Sequence, residues 1–206
     1  MSSLESHWQN VWDAKSHTET SWFQEAPGPS LAFVDALNLS PEDPIIDVGC
    51  GQSFLVDELL QRGFRSLHLL DISQSAVDAV TNRILPLADN VQLVTHAKDI
   101  LEQEPIEGIA LWHDRAVLHF LREPRERSHY AELAAASVRP GGYMVIASFS
   151  PDGPEQCSNL DVERVDESAV AKLFAQGFHM FESTRMKHVT PWGSEQDFQW
   201  CLLQRR

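Results

Sequence analysis

The stretch Ile45-Ile46-Asp47-Val48-Gly49-Cys50-Gly51-Gln52-Ser53, answered at the end of the next strand by Asp71, constrains this chain more than any other. A short apolar run ending in an acid, then Gly-Cys-Gly, then an amphipathic segment, reads as strand, tight turn and helix. Glycine lets the turn take positive φ and lets a ligand press against bare backbone. The helix start behind it offers unpaired N–H groups. A second acid one strand later suits a ribose diol, because a carboxylate can accept from both hydroxyls. These features together describe a nucleoside-cofactor site.

The rest of the chain alternates in the same way. Leu31, Phe33, Val34 and Leu37 suit a helix over 29–39, which Ser40-Pro41-Glu42-Asp43-Pro44 ends. After the first strand, Phe54, Leu55, Leu59 and Leu60 form a helical stripe that stops near Gly63. Strands are expected over 67–71, 91–95, 108–112 and 143–149, with Ser73 capping a helix that carries Val77, Val80 and Ile84. A helix over 126–138 runs into Arg139-Pro140-Gly141-Gly142, a strong stop. Residues 150–160 read as a long irregular loop, and a short helix covers 166–176. Strands over 178–189 and 196–203, joined by Thr190-Pro191-Trp192-Gly193-Ser194, form an antiparallel hairpin at the sheet edge. The expected fold is α/β and doubly wound, a mostly parallel seven-stranded sheet with a C-terminal antiparallel hairpin. Asp47, Asp71, Asp99 and His113 fall at strand C-terminal ends, where such sheets bind ligands.

Composition narrows the partners. Thirty acidic against sixteen basic side chains leave a net charge of −14, so most of the surface would repel a nucleic acid. No apolar run is long enough to span a bilayer, and 1–8 lacks the pattern of a signal peptide, so a soluble cytoplasmic protein is expected. At 206 residues one domain is expected, with 1–30 an aromatic cap or lid and 44–206 the cofactor-binding core. Cys50, Cys157 and Cys201 are odd in number and lack Cys-x-x-Cys spacing, which suggests reduced thiols, and no His/Cys/Asp grouping has metal spacing.

A dinucleotide oxidoreductase would want a third glycine, but Leu55 or its neighbours stand there. Asp47, two residues before the first glycine, would face a pyrophosphate unfavourably, whereas it suits a ligand presenting an ammonium group. With Asp71, Asp99, the Arg-Pro-Gly-Gly segment and the terminal hairpin, the chain resembles the class I S-adenosylmethionine-dependent methyltransferases, with matching signals over 44–149 and a compatible tail to 206. Asp47-Val48-Gly49-Cys50-Gly51 is similar to that family's first motif, with Ser53 in place of its frequent last glycine.

The resemblance implies S-adenosyl-L-methionine as cofactor. It implies that Gly49 and Gly51 admit the methionine portion, Asp47 orients its ammonium, Asp71 holds the ribose hydroxyls, Ile72 flanks the adenine and Asp99 accepts from the adenine amino group. His113 would sit where the backbone meets the methionine ammonium. The leader, with Trp8 and Trp12 at i, i+4 and then Ser21-Trp22-Phe23, is similar to the aromatic leaders of small methyltransferases acting on small molecules or on protein lysine. Trp12 and Trp22 are therefore candidates for covering the cofactor, or else for plain core packing. The segments 112–120 and 152–158 are similar to a bacterial subgroup of the family whose acceptor its motifs do not reveal.

Methyl transfer from a sulfonium is an in-line displacement, so the protein mainly aligns nucleophile and methyl in a dry pocket. A soft anion needs little acid–base help, whereas a lysine, with an ordinary pKa of about 10.4, must lose a proton. His113, Asp114 and His119 are the candidate catalytic groups; each could equally be structural. Cys157 could be reactive only with a lowered pKa, and a packing role is the simpler expectation. A small acceptor, thiol-like or otherwise soft, is favoured; a protein lysine is the alternative, and a non-catalytic cofactor sensor is a third reading.

Overall fold

Ile45–Val48 (β1) is buried at all four positions, as a strand covered on both faces must be. Each such aliphatic side chain contributes roughly 1.5–3 kcal/mol by leaving water. The coordinates are a computed structural model and describe residues 2–87 and 89–206. Contacts divide the chain into two compact units, Met1–Gln103 and Glu104–Arg206.

In the first unit, Ser3–Ala14 (α1) opens with a capping box in which Ser2 Oγ accepts from Glu5 N and Glu5 Oε2 accepts from Ser2 N. Gly28–Ala36 (α2) precedes β1. Leu55–Gln61 (α3) follows the glycine turn and ends with Gly63 at φ +92°, the left-handed stop expected there. Ser66–Asp71 (β2), Gln74–Ile84 (α4) and Gln92–Ala97 (β3) complete the unit. Ser73 caps α4 by accepting from Ala76 N, and Val77, Val80 and Ile84 are its buried stripe. β1 pairs with β2 and β2 with β3, all parallel.

In the second unit, Ile109–Arg115 (β4) pairs in parallel with Val138–Phe149 (β5), and Pro124–Ser137 (α5) connects them. β4 is longer than the sequence suggests, because the polar run His113-Asp114-Arg115 continues the strand. β5 also starts early. Ile109 pairs with Val138 and Leu111 with Tyr143, so the Arg-Pro-Gly-Gly segment bulges out of the ladder between them, with Gly141 at φ +77°. The stop for α5 is where it was expected.

Residues 150–160 are not irregular throughout. Gln156–Cys157 (β6) and Leu160–Asp161 (β7) form a small hairpin turned by Ser158 and Asn159, both at positive φ. Glu167–Phe174 (α6), capped by Asp166, leads to Phe178–Val189 (β8) and Glu195–Arg205 (β9). These two pair antiparallel with each other, and β9 pairs antiparallel with β5. The strand order β3-β2-β1-β4-β5-β9-β8 is that of a seven-stranded, mostly parallel sheet with the expected antiparallel hairpin. Among the described residues, no helix is long and apolar enough to cross a membrane.

Candidate cofactor and acceptor sites

The end of β1 and the end of β2 are tied together by the glycine turn. Gly49 and Gly51 have φ of +66° and +50°, so the turn needs residues without a Cβ penalty. Gly49 N and Cys50 N both donate to the Leu70 carbonyl, at 2.7 and 3.0 Å. Gly51 N donates to Asp71 Oδ2 at 2.8 Å, and Ser73 N donates to Asp71 Oδ1 at 2.9 Å. Asp71 is buried, and burial pushes its carboxyl up to about 6; the backbone donors at Ser73 and Gly51 pull it down and the charge of Asp47 pushes it up. A carboxylate has about four acceptor positions, and two backbone donors leave room for a diol. Asp47 is likewise buried, with Ser53 Oγ 3.4 Å from its Oδ2.

Arg83, which the sequence analysis passed over, holds this turn from α4. Its guanidinium donates to the carbonyls of Gln52 and Ser53, grips both Asp57 oxygens on the first turn of α3, and lies 4.7 Å from the centre of the Phe54 ring. A planar fork can hold this many acceptors at once, which a lysine could not.

The aromatic leader is seated on the same turn. A Cβ placed on Gly51 would lie 2.7 Å from Cζ2 of the buried Trp12, so the indole rests on bare glycine backbone. Trp22 packs edge-on against both Trp8 and Trp12, each at 5.8 Å, and His17 stands 5.2 Å from Phe54. Gln9 on α1 accepts from Ser73 Oγ at 3.0 Å and from Ser75 N at 3.4 Å. One chain of contacts thus runs from the leader through Ser73 to Asp71. Asp99 is half-buried and caps the turn Ile100–Glu102, its Oδ1 accepting from Leu101 N at 2.9 Å. Ile72 is half-buried between Asp71 and Ser73. The structure therefore brings Trp12, Asp47, Gly49, Gly51 and Asp71 together, with Trp22 behind Trp12.

His113, Asp114 and His119 belong to the second unit. His113 and Asp114 are both buried near the end of β4. Asp114 is wholly enclosed and accepts from Tyr130 Oη at 2.6 Å, Val117 N at 2.8 Å and Leu118 N at 3.1 Å, while Trp112 Nε1 donates to Tyr130 Oη at 2.9 Å. Burial raises its carboxyl to about 6 against the pull of these donors, Tyr130 foremost. Ala116 between them has φ +79°, a costly conformation for a residue with a Cβ, and its N–H donates to the Ala147 carbonyl at 2.8 Å. Asp114 thus fixes the turn that presents His119.

The His119 side chain is fully buried, with ring centroids 4.4 Å from Phe120 and 4.6 Å from Phe149, and neither ring nitrogen has a hydrogen-bond partner among the described residues. Burial first, and Arg115 second, push its pKa down to about 3. Cys157 is buried in the 156–161 hairpin, and burial pushes its thiol up to about 12, so the structure gives no support to a reactive thiolate. The loop around it is firmly attached. Ser150 N donates to the Asp197 carbonyl at 3.0 Å, Arg164 donates to the carbonyls of Pro151 and Gly153, and Glu163 N donates to the His119 carbonyl at 2.8 Å. Among the described residues, no group of three or more His, Cys, Asp or Glu could hold a metal ion.

No family model matches the chain. It is 28% identical over 134 residues to EEF1A lysine methyltransferase 2 of Danio rerio, covering 62% of this chain and 57% of that one. It is 25% identical over 195 residues to an uncharacterized methyltransferase of Schizosaccharomyces pombe, covering 92% and 68%. The chain thus spans little more than half the length of the first of these relatives. In fold it is similar to a solved structure from work on the conversion of a disulfide bond into a thioacetal group during echinomycin biosynthesis. That match has a TM-score of 0.77 at 17% identity, over 98% of this chain and 92% of that one. The N-methyltransferase NodS of Bradyrhizobium japonicum, in complex with S-adenosylhomocysteine, gives a TM-score of 0.70 at 15% identity over 97% and 98%.

Proposed function

We propose that this chain, which belongs by fold and by its curated relatives to the class I S-adenosylmethionine-dependent methyltransferases, binds S-adenosylmethionine and transfers its methyl group to a small nucleophile. The observation that carries the reading is Asp71. A buried carboxylate is held open by two backbone N–H groups beside a left-handed glycine turn, which suits a ribose diol and the donor set of this cofactor. We assign Asp71 to the ribose, Asp47 to the ammonium, Ile72 and Asp99 to the adenine, and Gly49 and Gly51 to the methionine portion. Trp12 and Trp22 cover the site as part of the leader. When bound, the cofactor supplies a methyl group already activated on a sulfonium.

The chain's own residues orient, exclude water and position. Arg83 and Asp57 hold the glycine turn in shape. Tyr130, Asp114 and the Val117 and Leu118 N–H groups lock the segment that carries His119, so Asp114 serves as a positioning residue here and not as a proton acceptor. His113 and His119 remain the acceptor-side residues. We read 1–206 as one catalytic domain and invoke no nucleic-acid acceptor.

A protein lysine is the second reading, favoured by the 28% identity to a lysine methyltransferase. The test that separates them is incubation with labelled methyl donor and cell extract, followed by fractionation by size. A small acceptor puts label in the low-mass fraction; label confined to large protein overturns it.

A further inference from the structure

One face of α1 meets both the glycine turn and the start of α4. Gln9, Trp12 and Asp13 stand at i, i+3 and i+4, so they share that face. Trp12 is buried, and its indole lies in the direction a Gly51 side chain would take. Gln9 reaches α4. Its Oε1 accepts from Ser73 Oγ at 3.0 Å and from Ser75 N at 3.4 Å, while its Nε2 donates to Ser75 Oγ and, at 3.1 Å, to Asp13 Oδ1. The Ser75 hydroxyl donates to Asp13 in turn. A primary amide suits this set, because it offers acceptor and donors at one end.

The residues that α1 meets are those that hold Asp71. Gly51 N donates to Asp71 Oδ2 and Ser73 N to Asp71 Oδ1. Each carboxylate oxygen therefore has a donor whose residue touches α1, Gly51 through Trp12 and Ser73 through Gln9. Ser73 is fully buried, so its hydroxyl needs an acceptor within the protein, and Gln9 supplies one. All of these residues belong to the first compact unit.

We propose that Gln9 is a positioning residue for cofactor binding, which fixes Ser73 from α1 and so sets the Asp71 carboxylate to accept from both ribose hydroxyls. This inference rests on the methyl-transfer reading above, in which Asp71 takes the ribose. Hydrogen bonds to a carboxylate are directional, so a shift of Ser73 that tilts the carboxylate weakens the ribose contacts first. The coupling is reciprocal. A leader that sharpens the grip on the ribose is itself held more tightly when the cofactor is bound.

The test is calorimetry of the full chain with S-adenosylhomocysteine and with its 2′-deoxy analogue, which lacks a ribose hydroxyl. The unmutated chain should prefer the ribose form by about tenfold or more. Gln9→Leu removes the polar atoms with little change in bulk. It should weaken S-adenosylhomocysteine several-fold and leave the deoxy analogue nearly as well bound, so that the preference shrinks. A role in packing alone would weaken both ligands equally. Gln9→Glu keeps the acceptor but sets a carboxylate beside Asp13, and should shrink the preference too. Adding Asp13→Asn returns a donor opposite the new acid and should restore it, which keeps the test open if the leucine variant folds poorly. In hydrogen exchange, S-adenosylhomocysteine should slow the α1 amides of the unmutated chain, and slow them less in Gln9→Leu. An unchanged preference in Gln9→Leu, equal weakening of both ligands, or no restoration in the double variant would overturn the inference. No binding of either ligand by the unmutated chain refutes the methyl-transfer reading and this inference with it. Binding with a preference that the variants leave unaltered refutes this inference alone.

Discussion

Acidification should weaken cofactor binding through one side chain, Asp71. In the protein without ligand its pKa is raised to about 6, because burial opposes the charged form and Asp47 adds repulsion. Ribose hydroxyls donate more strongly to an ionised carboxylate than to a neutral carboxyl group, and both oxygens of the ionised form can accept, so binding stabilises the charged form and returns the pKa towards its ordinary range. Affinity then follows the ionised fraction, which is about 97% at pH 7.5 and about 9% at pH 5.0, a loss of about elevenfold or about 1.4 kcal/mol. Calorimetry of S-adenosylhomocysteine between these pH values measures it directly. Repeating the titration in buffers of different ionisation enthalpy should show close to one proton released per cofactor bound near pH 5. Asp71→Asn, which cannot titrate, should bind weakly and with no such slope. An affinity that stays flat from pH 7.5 to 5.0 in the unmutated chain would refute the reasoning, as would the same slope in the Asn variant.

Other perturbations test the supporting structure. Gly51→Ala must place a Cβ at positive φ and against Trp12, so a loss of about 1–2 kcal/mol is expected in urea unfolding, with a change in tryptophan fluorescence. Tyr130→Phe removes the 2.6 Å bond to Asp114 and the acceptor of Trp112 Nε1, and should cost about 2–3 kcal/mol by the same assay. Arg83→Met releases the Gln52 and Ser53 carbonyls and should lower S-adenosylhomocysteine affinity several-fold in calorimetry, with no recovery in Arg83→Lys. His119 titrates near 3 when folded against 6.5 when unfolded, so its contribution is present above pH 6.5 and is lost as pH falls towards 3, by up to roughly 4–5 kcal/mol. Asp71 and Asp114 have the opposite sign, since their raised pKa values give stability below about 4 that is lost as pH rises through 6. Because these carboxylates offset the histidine over the same range, the difference in unfolding free energy between the unmutated chain and His119→Phe, taken from urea unfolding at each pH, should isolate the acid limb between about pH 6.5 and 3.

What could be read without coordinates was local. The apolar run 45–48, the glycines at 49 and 51 and the capping Ser73 have one physical interpretation each, and the strand, the left-handed turn and the helix stand where those residues demand them. The end of β4 was hidden because His113-Asp114-Arg115 looks like a polar loop. Tyr130, sixteen positions on, joins the Val117 and Leu118 N–H groups as the donors that let Asp114 lie buried in a strand. The hairpin at 156–161 was concealed for a different reason. Two positive-φ residues, Ser158 and Asn159, make its turn without a glycine to advertise it. Arg83 could not be recognised as the brace of the glycine turn, because an arginine on a helix face is usually solvated and its partners lie some thirty positions away. Trp12 was legible as one of a pair of aromatics on a single helix face, but its seat on Gly51 depends on how α1 folds back.

The most direct test of the central claim is calorimetric titration of the intact chain with S-adenosylmethionine and, separately, with a nicotinamide dinucleotide, repeated on Asp71→Ala. The proposed function requires saturable binding of the methyl donor, none of the dinucleotide, and loss of the former in the variant. Full-strength S-adenosylmethionine binding by Asp71→Ala, or binding of the dinucleotide instead, would contradict it.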